Sequence, residues 1–336
     1  MTENGDATVK VVPVRHVGQW IASAVAILFL AMLVHTLFSR LPVPGQFSCR
    51  LVNGVRKCRP LTEWRFSWDI VGRYFFTSEI LHGLLITLKL TVLAMLIGIV
   101  LGLLIAVMRV STNRLISTIA WSYTWFFRGT PVLVQIYVWY FFSILYPVLS
   151  LGIPFTNVTL VHFATKTTLT AFLAAMVALG LNEAAYMSEI ARAGLISVDE
   201  GQTEAAISLG MTRRQTLRFV VLPQAMRVII PPTGNEVISM LKTTSLASAI
   251  GLIELFGAAQ NIYGNNYLIM PLLIVASLWY ILVTTVLSIG QFYLERHFAK
   301  GALRSPPLTP IQRLRRDVAG ILSKFRTPRP AREVVS

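Results

Sequence analysis

Charge is what this sequence has least of: 13% of its 336 residues are Asp, Glu, Lys or Arg, against 54% hydrophobic. A soluble domain carries about 25% charged residues, so a water-soluble globular protein is excluded and the chain reads as a polytopic membrane protein. Acidic residues are the scarcer sign, 15 against 30 basic. The basic excess gathers at the ends of apolar segments and from Glu295 onward, where ten Lys or Arg face three Asp or Glu. That placement assigns it to membrane topology and a lipid surface; no nucleic-acid-binding motif accompanies it, so no nucleic-acid partner is expected. Cysteine is nearly absent. Cys49 and Cys58 share one hydrophilic stretch without His or further Cys beside them, which excludes a four-ligand zinc site and leaves a small disulfide-closed loop or two free thiols. The five histidines, His16, His35, His82, His162 and His297, are scattered, so no metal site is expected. A G-x-x-x-x-G-K-[ST] phosphate loop is also missing, as is any convincing nucleophile and base. The chain therefore reads as a non-enzyme, with no catalytic residue and no cofactor bound by the chain itself.

What is present is a series of apolar runs. After a polar tail over residues 1–17, the run 18–38 is long enough to cross a bilayer. A signal peptide is the alternative, opposed by the length of the run and the lack of a clear small-residue cleavage site. Residues 39–81 read as an external loop with aromatics and seven basic residues. The second span covers about His82–Met108; on it Ala94, Gly98, Gly102 and Ala106 recur every four residues, a small-residue face that lets another helix approach closely. Arg109–Arg128 mixes Arg with Trp, Tyr and Phe and suits a helix lying at the membrane surface. Thr130 and Pro131 read as the cap and first residue of a third span running to about Leu149. A fourth covers about Thr167–Ser188. The fifth runs from Pro223 to about Ile253, broken by Pro231, Pro232 and Gly234; Glu254–Asn266 is a short re-entrant or surface piece; the sixth covers about Leu268–Tyr293. Six spans put both termini on one side together with most of the basic loops, which makes that side the cytoplasm, with residues 296–336 as a basic cytoplasmic tail. The seven basic residues of 39–81 pull the other way for the first span.

Between the fourth and fifth spans lies a polar loop, Ser197–Pro223. Ser197 with Glu200, and Thr212 with Gln215, have the capping-box spacing. Gly210 falls where the first helix needs a positive φ to close, and Pro223 is expected to end the second. The prediction is helix, tight turn, helix. Within it Glu204-Ala205-Ala206, then Gly210, then Val220 and Leu222-Pro223, resembles the EAA signature of the membrane subunits of bacterial ABC importers, with Val220 where isoleucine is commoner. Ala185–Ile190, Gly201-Gln202, Leu222–Ala225, Ile230–Pro232, Lys242–Leu246 and Arg128–Pro131 with Gln135 look like the polar amino acid (histidine, glutamate, glutamine, arginine or opine) permease subfamily, over roughly Gly83–Arg296. The resemblance implies an all-α type I importer-like permease with a five-helix core over 82–295, to which this chain adds the N-terminal span, the cysteine loop and the basic tail. It implies that a helix from about Asp199 to Leu209 couples to a dimer of cytoplasmic ABC ATPases, which carry the ATP and Mg, through Glu204, Ala205, Ala206, Gly210, Leu222 and Pro223. A second permease subunit, identical or related, an external substrate-binding protein, a polar or charged amino acid as cargo and a place in the bacterial inner membrane follow from the same resemblance. The runner-up is an ion-gradient-driven secondary amino acid transporter, in which the loop has no purpose.

Ionisable groups within a bilayer cost about 2.5–3.5 kcal/mol on insertion scales and are functional or paired. On the fifth span Asn235, Ser239 and Lys242 share a face, with Glu236 and Thr243 alongside. The prolines and Gly234 are expected to free backbone carbonyls there, which is tolerated where a cavity is lined. On the fourth span Asn182, Tyr186 and Glu189 share a face, with Glu183 beside it. An amino acid needs acceptors for its ammonium, for which Glu236, Glu183 and Asn235 are candidates, and donors for its carboxylate, for which Lys242, Gln135 and Ser245 are candidates; Asn182 and Tyr186 belong to the same candidate path. The alternative is that Glu236 or Glu183 pairs with Lys242 or Arg192 and only holds helices together. Glu189, near the cytoplasmic end, reads as an interfacial salt bridge.

Overall fold

A computed structural model describes residues 17–52, 55–64, 66–152, 159–165 and 169–298 and the single positions 312, 316 and 319. It divides into two units, Met1–Phe75 and Phe76–Ser336. In the first, the apolar run forms helix α1, Val17–Phe38, within which Ala22–Thr36 is a shorter apolar helix. The stretch expected as a loop is an antiparallel hairpin of β1, Arg40–Val52, and β2, Val55–Trp64, followed by helix α2, Trp68–Phe75. Its register sets Cys49 directly opposite Cys58 and shifts between Pro42 and Phe47, where Pro44 and Gly45 interrupt a regular ladder. Arg- and Pro-rich strands lack a clean alternation, so the signal that remained was the Asn53-Gly54 pair between them.

Among the described residues the second unit is helical apart from one further hairpin. It comprises α3 (Ser78–Arg109), α4 (Arg114–Gly129), α5 (Val132–Leu145), the hairpin of β3 (Val148–Gly152) and β4 (Thr159–Ala164), α6 (Ala171–Ile196), α7 (Glu200–Ser208), α8 (Arg213–Thr216), α9 (Leu222–Thr243), α10 (Leu255–Asn266) and α11 (Ile269–Phe298). Among the described residues α3, α6 and α11 are each long and apolar enough to cross a membrane, and Arg213–Ile250 with Leu255–Asn266, bent by 43°, counts as a fourth when taken as one span. Helix α5 is a shorter apolar helix. The helical core stands as expected from the sequence, and the two hairpins are additions to it.

Helix α6 is the centre of this unit, and the four-residue repeat of α3 is its seat. Ala94 and Ala106 are fully buried. A Cβ at Gly98 would lie 2.4 Å from Cγ of Glu183, and one at Gly102 2.6 Å from Cβ of Met187, so only glycine allows this approach. Helix α6 answers with Gly180, where a Cβ would fall 2.8 Å from Cγ2 of Ile97.

Three local expectations change. Pro223 does not end a helix: a π turn over Leu217–Val221 joins α8 to α9, with the Leu222 N–H on the Leu217 carbonyl, and Pro223 falls in the first turn of α9, where a missing N–H is tolerated. Pro231 and Pro232 lie inside α9 without breaking it. Helix α11 packs tightly there, with Gly234 so close to Gln291 that a Cβ would meet its Cγ at 2.7 Å, and Gln291 donates from Nε2 to the Pro231 carbonyl at 3.3 Å. The break comes later, in a 3-10 stretch over Thr244–Ile250 that closes at Gly251 with φ +78°. Finally, Thr130 ends α4 and does not cap α5; its hydroxyl donates to the Phe126 carbonyl at 2.9 Å.

Candidate functional site

The polar loop is built from local signals. Helix α7 is capped by Asp199, whose carboxylate accepts from the Gly201 N–H at 2.8 Å. The Ser197–Glu200 box does not form, because α6 runs on to Ile196 and draws Ser197 into its last turn, where the hydroxyl donates to the Gly194 carbonyl at 2.7 Å. At the other end the Met211 N–H reaches the Ala206 carbonyl at 3.1 Å and the Gly210 N–H the Ile207 carbonyl at 2.9 Å, with Gly210 at φ +82°. That is a Schellman closure. The Thr212–Gln215 box has both halves, Gln215 N–H to Thr212 Oγ1 at 3.4 Å and Thr212 N–H to Gln215 Oε1 at 2.8 Å. On α7 Ala206 is buried while Glu204 and Ala205 are exposed, and Leu222 and Pro223 at the start of α9 are exposed as well. Ile207 is 53% and Leu209 84% exposed. A short, doubly capped helix thus holds small and apolar side chains out in a polar loop.

Inside the helical bundle the polar candidates separate into two groups. Gln135 and Asn182 are spent on structure. Gln135 donates from Nε2 to the Phe127 carbonyl at 2.9 Å and to Thr130 Oγ1 at 2.7 Å, and its Oε1 accepts from Asn182 Nδ2 at 3.2 Å. Asn182 also donates to the Phe127 carbonyl at 2.9 Å. Together they satisfy the carbonyls left over where α4 turns into α5 and tie that corner to α6. Ser245 is likewise occupied, donating to the Lys242 carbonyl at 2.7 Å. Asn235 accepts from Gln291 at 3.0 Å.

Glu183 belongs to the other group. It is 4% exposed, wedged against Gly98, and its Oε1 is buried without a hydrogen-bond partner. Glu236, half-buried on α9, lies within electrostatic reach of both Glu183 and Arg128, and the Arg128 guanidinium sits 5.2 Å from the centre of the Tyr186 ring. Neither Glu183 nor Glu236 forms an ion pair with Lys242 or Arg192 among the described residues; the pairs found there are those of Glu189 with Arg109 at 3.1 Å and Arg192 at 2.8 Å, as the position of Glu189 suggested. A cleft of about 390 Å³ opens beside this cluster, lined among others by Arg109, Trp121, Arg128, Tyr186 and Glu189. On α9, Asn235, Ser239 and Lys242 make an exposed polar stripe.

Sequence reasoning missed Glu254. Fully buried at the N-cap of α10, it accepts from the Phe256 and Gly257 N–H groups at 3.0 and 2.7 Å, from Thr87 Oγ1 at 3.1 Å and from Tyr280 at 3.1 Å. It locks α10 to α3 and α11 at the break after α9. Glutamate is not a favoured cap residue, so no local signal marked it.

Residues 98–300, which hold the loop and all of this cluster, match the family described as binding-protein-dependent transport system inner membrane component. The chain belongs to this family. It is 42% identical over 294 residues to the arginine transport system permease protein ArgU of Corynebacterium glutamicum, covering 87% of this chain and 84% of that protein. That match is longer than the 82–295 core, so it takes in part of the flanking sequence. The L-cystine transport system permease protein TcyB of Bacillus subtilis is 38% identical over 68% of this chain and 90% of its own length. A crystal structure of an amino acid ABC transporter with histidines superposes with a TM-score of 0.58 and 37% identity, covering 69% of this chain and 100% of that chain. The polar-loop motif and the buried carboxylate both lie inside the region the family shares.

Proposed function

We propose that this chain is the membrane-spanning permease subunit of an ATP-driven importer for a polar or charged amino acid. The observation that carries the proposal is the doubly capped loop helix with Glu204-Ala205-Ala206 on it and Gly210 at its end. A rigid helix with exposed Ile207 and Leu209 in a polar loop suits a groove on a separate ATP-hydrolysing subunit, where ATP and Mg would be bound. Membership of a binding-protein-dependent family supports an external substrate-binding protein. The exposed polar stripe of α9 is costly against lipid, which supports a second permease subunit facing it across an aqueous path. Alternating access then follows as the ATPases close on ATP and separate after hydrolysis, with both termini of the permease in the cytoplasm. Glu183, with Glu236, Arg128 and Tyr186 around it, supplies the acceptor for a substrate ammonium and a nearby cation for its carboxylate. The test is co-reconstitution with ATPase and binding-protein partners and measurement of labelled amino acid uptake. Uptake should require ATP; uptake that instead follows an ion gradient without ATP overturns the proposal.

A further inference from the structure

Where α3 gives way to α4, the surface forms an open cleft of about 320 Å³, lined by Arg109, Thr112, Arg114, Ser117, Thr118 and Trp121 among others. Its lining holds guanidinium and hydroxyl groups and no carboxylate. Arg109 spends one terminal nitrogen on Glu189 at 3.1 Å, but its Nε is buried and has no acceptor. Glu189 is shared with Arg192, so that single carboxylate serves two guanidiniums, while Arg114 lines the same cleft as Arg109 with no ion pair among the described residues. Such a corner calls for an anion. Directly beside it α4 exposes an apolar face: Leu115 is 69%, Ile119 54% and Trp125 66% exposed, and Trp121 stacks on Trp125 with ring centres 6.3 Å apart. Aromatic rings of this kind settle at the headgroup level of a bilayer. A donor-rich pocket adjoining an exposed aliphatic and aromatic face has the two-part chemistry of a phospholipid, headgroup and chain.

We propose that the α3–α4 corner binds the phosphate of an anionic phospholipid. The phosphate takes Arg114 and the face of the Arg109 guanidinium that lines the cavity, the Thr112 and Thr118 hydroxyls reach the glycerol side, and an acyl chain runs along Leu115 and Ile119. The proposal rests on the membrane reading of the chain but not on its cargo or its ATPase. Its test is made on the full-length chain purified in detergent and titrated with phosphatidylglycerol, phosphatidylcholine or inorganic phosphate, with melting temperature and native mass spectrometry as readouts. Phosphatidylglycerol should raise the melting temperature and remain bound, and phosphatidylcholine should do neither. Arg114→Gln and Thr118→Ala, both exposed positions, should each reduce retained phosphatidylglycerol at least several-fold without changing the lipid-free melting temperature. Arg213→Gln, equally basic but in the polar loop, should retain it. Equal effects of the two lipids, undiminished retention in both pocket variants, or an equal shift from inorganic phosphate would each overturn the lipid site.

Discussion

At the scale of single residues, Glu183 and Gln135 show how differently two polar side chains in one bundle can be used. Gln135 has its hydrogen bonds made for it by Phe127, Thr130 and Asn182, whereas Glu183 keeps a buried oxygen unpaired, an arrangement that costs about 1–3 kcal/mol. A cost of that size persists where function retains it. Glu183→Gln keeps the shape against Gly98 and removes the charge. If Glu183 meets a substrate ammonium, losing a charge-assisted bond of about 1.5–3 kcal/mol raises the half-saturation concentration for uptake by roughly 10- to 100-fold. Unchanged kinetics would move Glu183 to a purely structural role. Nothing in the sequence separates Glu183 from Asn182 one position before it, because both lie on a polar patch of α6. The difference is made by which carbonyls of the α4–α5 corner happen to face each of them.

Elements carry the mechanical predictions. The Schellman closure of α7 needs both the Gly210 N–H and its positive φ. Proline offers neither, since its φ is fixed near −65° and it has no N–H. Gly210→Pro should therefore abolish substrate-dependent uptake while the chain still inserts and is recovered from membranes at near wild-type amount; normal uptake would end the coupling role. At the break between α9 and α10, Glu254→Gln replaces an acceptor-only group with one that also donates, against four donors already aimed at it. A loss of about 1–3 kcal/mol is expected, read as a lower melting temperature in detergent. Tyr280→Phe removes one of the four donors and should cost less; the opposite order would show that the cluster is held by Tyr280 and not by the carboxylate. The Gly210 closure and the Thr212–Gln215 box were legible in the sequence because they act within a few residues, whereas the Ser197 cap was lost because α6 runs on to Ile196. The helix through Pro231 and Pro232 was not, since its packing on α11 and Gln291 comes from a segment distant in the chain.

For the whole molecule the prediction concerns sidedness. The positive-inside tendency favours a cytoplasmic position for Arg192, Arg213, Arg214, Arg218 and Arg227 and an external one for residues 39–81, although the latter hold seven basic residues. A membrane-impermeant thiol reagent decides this. With Cys49 and Cys58 replaced by serine, a single cysteine at Glu200 should be labelled in inside-out vesicles and protected in intact cells, and one at Ser48 should show the reverse. Labelling of both from the same side would contradict six spans. In the native chain, the register that sets Cys49 opposite Cys58 is compatible with a bridge, since opposed strand positions have Cα atoms about 4.5–5.5 Å apart.

By itself the sequence determined the membrane class, the helical core, the small-residue face of α3 and, in the polar loop, the Gly210 closure and the Thr212–Gln215 box. Each of these depends on composition or on residues within about one or two helical turns of one another, so the physics that sets them is local. Only the tertiary structure decided which polar groups inside the bundle are satisfied and which are left open. That choice, between Gln135 and Glu183, and the appearance of Glu254 as a buried junction 167 residues from its partner Thr87, depend on which helix backs onto which. Hydrogen-bond satisfaction in a low-dielectric interior is settled by partners that are close in space, and the chain brings those partners from far apart in sequence.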